Sequence, residues 1–161
     1  IKKFQITNNF KLKKVFPKIN DKIFIENNNL KIEYNKNNLY IEGKGDIYLQ
    51  NNKDYIDFKV EKKNKLINFE GLIKLDKDPF IINFLNFEKD QNYETKIKFN
   101  GYRDATKKIF LKSIRLDENK NTIEAKNIQL SSKFKIKSIN NINADYVDIQ
   151  DQQNIFNIKK N

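Results

Sequence analysis

The 161-residue chain contains neither cysteine nor histidine. Without cysteine it can form no disulfide and no thiolate metal site. Without histidine it lacks the commonest general base and a frequent transition-metal ligand. These absences argue against catalysis, and we predict a protein that is not an enzyme, with no catalytic residues, no cofactor and no metal site.

The sequence also lacks methionine and any apolar run near the ~20 residues that a membrane-spanning helix needs. We therefore expect a segment of a longer protein, with residues 1–161 forming one domain and any membrane anchor lying outside it. Aromatic residues make up 12% of the chain, which is too many for a disordered segment. The segment is expected to fold.

The formal net charge is +11, and nearly all of the positive charge comes from lysine, since Arg103 and Arg115 are the only arginines. Sequence-specific nucleic-acid sites rely on the bidentate contacts of arginine. We therefore predict no specific nucleic-acid partner and interpret the lysines as solvated surface. The alternative hypothesis for the lysines is that they bind nucleic acid or an anionic surface.

Alternation of apolar and polar residues dominates the chain and predicts an antiparallel all-β fold. The turns between the alternating segments are short and rich in Asn, Asp and Lys, so successive strands are expected to be hairpin neighbours. The predicted strands are residues 22–25, 30–34, 39–49, 55–60, 66–75, 93–101, 108–116, 122–130, 134–139 and 146–149.

Two stretches depart from this alternation. Residues 80–87, after Pro79, are apolar on both sides, which fits a short helix, a bend or a strand buried on both faces; we favour a short helix or an irregular cap. The stretch up to Pro17 is weakly patterned. Its apolar anchors are Phe4, Ile6, Phe10, Leu12, Val15 and Phe16.

The four glycines of the chain all fall in the apolar register of predicted strands rather than in turns. They are Gly43, Gly45, Gly71 and Gly101. Glycine weakens a strand, so its place on the apolar side needs a physical reason. One interpretation is that the glycines mark bulges or kinks where the sheet coils. The other is that they line a hollow in which an apolar ligand approaches the backbone.

The segment "LKIEYNKNNLYIEGKGDIYLQNNKDYIDFKVEKKNKLINFEGLIKLDKDPF" contains a strand with a G-x-G step, a strand ending in charge, and an F-x-G-x-I-x-L strand running into "DPF". The later segment "NGYRDATKKIFLKSIRLDENKNTIEAKNIQLSS" shows a similar pattern, a short strand followed by a turn and an N-x-I-x-A strand. These segments resemble the AsmA-like envelope proteins, in particular the YhdP-type and TamB-type members. The resemblance implies an elongated, strongly twisted antiparallel sheet curled into an open half-pipe.

The resemblance further implies a periplasmic protein, anchored to the inner membrane through a region outside this segment. Its apolar groove would shield phospholipid acyl chains and support lipid transport to, and integrity of, the outer membrane. The expected partners are phospholipids and, for the full-length protein, the membranes at its two ends. The predicted groove residues are Leu39, Ile41, Gly43, Gly45, Ile47, Leu49, Ile56, Phe58, Val60, Ile67, Phe69, Gly71, Ile73, Leu75, Ile97, Phe99 and Gly101.

The alternative from another class is a structural envelope or surface β-domain with a closed core and no ligand. The two hypotheses differ in where the apolar register faces. A lipid carrier leaves it open as a groove, whereas a structural domain seals it as an interior.

Overall fold

The computed structural model describes residues 3–7, 13, 15–131 and 135–160. Thirteen strands lie within them. They are β1 (Lys3–Thr7), β2 (Lys22–Asn35), β3 (Asn38–Tyr48), β4 (Asp54–Lys63), β5 (Leu66–Leu75), β6 (Ile81–Ile82), β7 (Phe87–Glu88), β8 (Thr95–Arg103), β9 (Ile109–Glu118), β10 (Asn121–Leu130), β11 (Ile136–Ser138), β12 (Asn141–Val147) and β13 (Gln153–Lys159).

Eleven of these strands form one antiparallel sheet, which confirms the predicted fold class. Its order is β1-β2-β3-β4-β5-β8-β9-β10-β12-β13, with β11 also paired to β10. Most neighbours are consecutive in sequence, as the short polar turns predicted. β1 and β13 lie at opposite ends of this order and do not pair with each other, so the described sheet does not close into a barrel.

Several predicted strand boundaries needed correction. The predicted strands 22–25 and 30–34 are one strand, β2, which is interrupted by a register shift between Glu26 and Asn29. Of the predicted strand 146–149, only Tyr146 and Val147 lie in a strand, at the end of β12, and β13 was not predicted. Of the predicted strand 134–139, Phe134 lies outside the described residues, and β11 covers only Ile136–Ser138.

Residues 80–87 form no α-helix. They contain a single 3₁₀ turn, Asn83–Leu85, placed between the short paired strands β6 and β7. Asn86 ends the turn in the left-handed conformation, with φ of 51°. The two-residue strands and the tight turn let the side chains of this apolar run point to different sides. The run is therefore an irregular cap.

Turns in this chain are made without glycine. Lys36, Asn64, Lys107 and Asn119 adopt positive φ at or next to hairpin turns, whereas no glycine does. Asparagine tolerates this left-handed region better than most residues. The prediction that the glycines do not serve the turns is confirmed.

The hydrophobic core lies at one end of the large sheet, under two segments that we call the cap, residues 15–20 and 79–89. The cap contributes the buried side chains of Phe16, Ile19, Phe80 and Phe87. The rings of Phe16 and Phe80 meet edge to face, with centroids 5.2 Å apart. These side chains cluster with sheet residues that include Ile25, Ile47, Leu75, Ile97, Leu116, Ile123 and Tyr146.

Backbone hydrogen bonds hold the two cap segments together. Ile81 N donates to Val15 O at 2.9 Å and joins the two segments, whereas Lys89 N donates to Phe80 O at 2.9 Å and closes the segment 79–89 on itself. The Tyr146 hydroxyl donates to Leu85 O at 2.8 Å and so ties the cap to β12. Among the predicted N-terminal anchors, Phe4 and Val15 pack against this core, and Phe10 and Leu12 lie outside the described residues. No helix in the described part of the chain is long and apolar enough to cross a membrane.

Candidate functional site

The candidate site is one side of the large sheet, which we call the apolar face. Strand pairing sets Leu30, Gly43, Phe58, Gly71 and Phe99 side by side across β2, β3, β4, β5 and β8. Paired residues on neighbouring strands point to the same side of a sheet. The pairing therefore creates a row in which glycine and phenylalanine alternate.

A second row of the same face lies one step nearer the hairpin at Lys36. It consists of Ile32, Ile41, Val60, Phe69 and Gly101. The predicted groove residues of β3, β4, β5 and β8 thus do share one face, since each strand contributes every second residue.

The alternating glycines let phenylalanine rings lie across the sheet. A Cβ placed on Gly71 would stand 2.6 Å from Phe99 Cζ, and one on Gly43 would stand 2.7 Å from Phe58 Cζ. A Cβ on Gly101 would stand 2.9 Å from Phe69 Cζ. The space above these glycines is therefore occupied by the protein's own aromatic rings, and the idea that glycine leaves room there for a ligand is wrong.

Gly45 has a different role, which agrees with the bulge interpretation. A Cβ at this position would stand 2.8 Å from both Asn28 Cα and Glu26 O, which belong to the backbone of β2. There β2 bulges, with Asn27 at φ of 47°. Gly45 permits the close approach of a bulged neighbouring strand, as glycine does elsewhere in sheets.

One end of the apolar face, which we call the capped end, is part of the core. The predicted groove residues Ile47, Leu49, Leu75 and Ile97 are buried beneath the cap, and Ile56 and Ile73 pack against the same cluster. The expected exposure of Ile47, Leu49, Leu75 and Ile97 to a ligand is therefore wrong, whereas Ile56 and Ile73 are half-buried. The cause is tertiary, because the covering side chains come from segments that lie far from these strands in sequence.

The other end of the face, which we call the open end, lies outside this core. The predicted residues Leu39, Ile41, Phe58, Val60, Ile67, Phe69 and Phe99 are half-buried there. Ile32 and Tyr34 on the same face are exposed by 56% and 74%. The open end therefore presents apolar side chains that no part of the core covers.

The prediction missed several members of the apolar face. Alternation in β9, β10 and β12 continues it, as the pairs Phe99 with Ile114, Ile114 with Ala125 and Ala125 with Ile142 show. The signal was visible in the sequence, since residues 108–116 and 122–130 were predicted as strands. Without the register, however, no residue of these strands could be assigned to a face.

Buried polar groups connect the capped end of the sheet to its loops. The Asp78 carboxylate accepts hydrogen bonds from Gln50 N at 3.2 Å, Asn52 N at 3.1 Å and Asn52 Nδ2 at 2.7 Å. Glu118 is 1% exposed and accepts from the Thr95 hydroxyl and from Asp90 N. Each carboxylate thus satisfies donors that the loops would otherwise leave unpaired.

Asp54 is the most perturbed acid in this region. Its Oδ1 accepts from Asp76 N at 2.9 Å, whereas its buried Oδ2 has no partner among the described residues. Burial, reinforced by the negative charges of Asp78 and Asp76, raises the pKa of Asp54 to about 7. No group of three or more acidic residues in the described part of the chain is arranged to hold a metal ion. These acids lie beneath the cap and anchor loops.

Comparison of the chain with protein-family models, with curated proteins and with solved structures gives no match.

Proposed function

We propose that the chain is a non-enzymatic segment of an AsmA-like periplasmic protein and that its open end shelters phospholipid acyl chains. The observation that carries the proposal is the half-covered apolar face. A sheet that needed only a stable core would gain from covering the whole face, because each Å² of apolar surface removed from water stabilises by ~25 cal/mol. Here the row that contains Ile41, Val60 and Phe69 remains outside the core.

The length of the open end fits an acyl chain. Lys62 lies six positions along β4 from Ile56, where the core begins. At ~3.3 Å per residue this is roughly 20 Å. The tails of one bilayer leaflet span about 15 Å, half of the hydrocarbon thickness. In this proposal the sheet curls around such tails as an open half-pipe in the periplasm, and a region outside this segment provides the inner-membrane anchor.

A structural β-domain without a ligand is the second candidate, and the capped end favours it. There the face is sealed by Phe16, Phe80 and Phe87 in the manner of an ordinary core. The two candidate functions differ only at the open end, where the first predicts bound lipid and the second predicts none. The experiment must therefore compare open, capped and polar positions of the same sheet.

Photo-crosslinking provides this comparison. We expect a photoreactive side chain at Ile41 or Val60 of the purified chain, mixed with phospholipid, to form lipid adducts detected by mass spectrometry. The matched control is Lys59, the neighbour of Val60, whose side chain points to the opposite face. A probe at the buried Ile47 is expected to capture no lipid, because the cap covers it.

A charge on the face gives an independent check. Phe58→Asp should abolish the adduct at Ile41, which lies diagonally opposite it on β3, since a carboxylate that faces hydrocarbon and lies four residues from Lys62 costs several kcal/mol. Lys59→Asp should leave the adduct unchanged. A folded chain that forms no adduct at Ile41 or Val60, or forms equal adducts at Lys59, would refute the lipid proposal in favour of the structural domain.

A further inference from the structure

Two cations interrupt the apolar face at its open end. Lys62 pairs with Leu39 on one side and with Ile67 on the other, and Ile67 pairs in turn with Arg103. Lys62 and Arg103 therefore lie in the same row, two strands apart, on the face that carries Ile41 and Val60. Neighbouring strands are ~4.8 Å apart, so their Cα atoms are separated by about 10 Å, with Ile67 between them.

Several cations on the opposite, polar face find acidic partners two residues along their own strand. Lys31 pairs with Glu33 at 2.9 Å, Arg115 with Asp117 at 2.8 Å, and Lys126 with Glu124 at 2.9 Å. Residues two apart on a strand share a face, so this spacing neutralises the polar face locally. Lys62 and Arg103 form no ion pair within the described residues. Their row offers only apolar neighbours, Leu39, Ile67 and Ile109.

From this arrangement we propose that Lys62 and Arg103 bind the anionic headgroup of a phospholipid whose tails lie on the open end. The proposal rests on the proposed function and adds a headgroup class and two residues to it. Lysine and arginine side chains are long enough to converge above Ile67, and both donate charge-assisted hydrogen bonds to phosphate oxygens. An anion at this position would supply the negative charge that the row itself lacks.

The position of the two cations sets the orientation of the bound lipid along the strands. The headgroup would lie at the Lys62 row, next to the hairpin turns, and the tails would run toward the cap over Val60 and Phe58. The ~20 Å from Lys62 to Ile56 accommodates the tails, and the core stops them there. A zwitterionic lipid would use the same apolar rows, but its cationic headgroup amine would meet Lys62 and Arg103 unfavourably.

The test compares dihexanoyl phosphatidylglycerol with dihexanoyl phosphatidylcholine, both below their micelle concentrations, by calorimetry on the purified chain. We expect the anionic lipid to bind about tenfold more tightly, since its headgroup can contact two partly exposed cations and carries no positive group that they would repel. The double variant Lys62→Gln with Arg103→Gln should lose this preference and still bind phosphatidylcholine. Lys62 is exposed, Arg103 is half-buried and neither forms an ion pair within the described residues, so this variant is expected to fold.

The control variant, Lys63→Gln with Arg115→Gln, lowers the net charge equally but on the polar face, and it should keep the preference. Equal losses in both double variants would assign the preference to overall charge and overturn the headgroup site. Displacement of the lipid by glycerophosphoglycerol, which has no tails, would also overturn it, in favour of a free phosphate ligand. Equal binding of both lipids refutes the headgroup site and leaves the proposed function intact, whereas binding of neither refutes both.

Discussion

The four glycines of the apolar face should differ sharply in how they tolerate an added methyl group. At Gly101, a Cβ would stand 2.2 Å from the carbonyl oxygen of Phe110, a backbone atom of the paired strand β9. At Gly71, the nearest atom is the tip of the Phe99 ring, at 2.6 Å. The Gly101 contact can be relieved only by moving a strand, whereas the Gly71 contact can be relieved by rotating a side chain.

These contacts set the expected magnitudes. Overpacking of a core costs typically 1–3 kcal/mol, and Gly101→Ala should reach about 3 kcal/mol because the register shift between Asn100 and Gly101 fixes both strands. Gly71→Ala pays for displacing Phe99 but gains ~0.5–1 kcal/mol from replacing glycine within a strand. Its net effect on the free energy of unfolding should therefore stay within about 1 kcal/mol.

Thermal unfolding followed by circular dichroism measures the difference. For a domain of this size, 3 kcal/mol lowers the Tm by roughly 6–12 °C, whereas Gly71→Ala should shift it by less than about 4 °C. Asn100→Ala and Glu70→Ala, at neighbouring polar-face positions, serve as controls. The reasoning would be refuted if Gly71→Ala destabilised the protein as much as Gly101→Ala, or if both were as mild as the controls.

Two further predictions concern the cap and the acids beneath it. Phe87→Ala removes a fully buried cap side chain and should cost about 3–5 kcal/mol in urea unfolding, whereas Phe84→Ala, 74% exposed, should cost less than roughly 0.5 kcal/mol; equal costs would contradict the cap assignment. Asp54 has a folded pKa of about 7, above its ordinary 3.8, so the folded state holds a proton that the unfolded state releases, and stability should fall as pH rises between 4 and 7. Asp54→Asn cannot ionise, and by pH 8 it should be roughly 2–4 kcal/mol more stable than the parent chain relative to their difference at pH 4; a constant difference from pH 4 to 8 would disprove this.

The sequence predicted most of the strands, and it did so for a local reason. In a strand, successive side chains point to opposite sides, so a sheet with one apolar face requires alternation within each strand. Residues 39–49 and 66–75 show this directly. The same alternation placed Gly43, Gly45, Gly71 and Gly101 on the apolar face before any pairing was known. β13 was not predicted because Asn154 and Asn157 interrupt its apolar pattern.

Tertiary structure alone decided which part of that face is closed. Residues 15–20 and 79–89 are separated by about sixty positions, yet they meet over the same end of the sheet. Nothing in the alternation of β3 distinguishes Ile47, which they bury, from Ile41, which they do not. The role of the glycines was likewise settled by pairing, because only the register shows that Phe58 lies opposite Gly43 and Phe99 opposite Gly71.

The same holds for charge. The sequence determined an excess of lysine, but whether a given cation is neutralised depends on which acidic side chain shares its face. Lys63 and Lys62 are neighbours in the chain, and the side chain of Lys63 reaches Glu61 at 3.9 Å on the polar face. Lys62 points to the other side, among Leu39 and Ile67, because adjacent residues of a strand face opposite ways. Only the folded sheet, which sets three strands side by side, could bring Lys62 and Arg103 into one row.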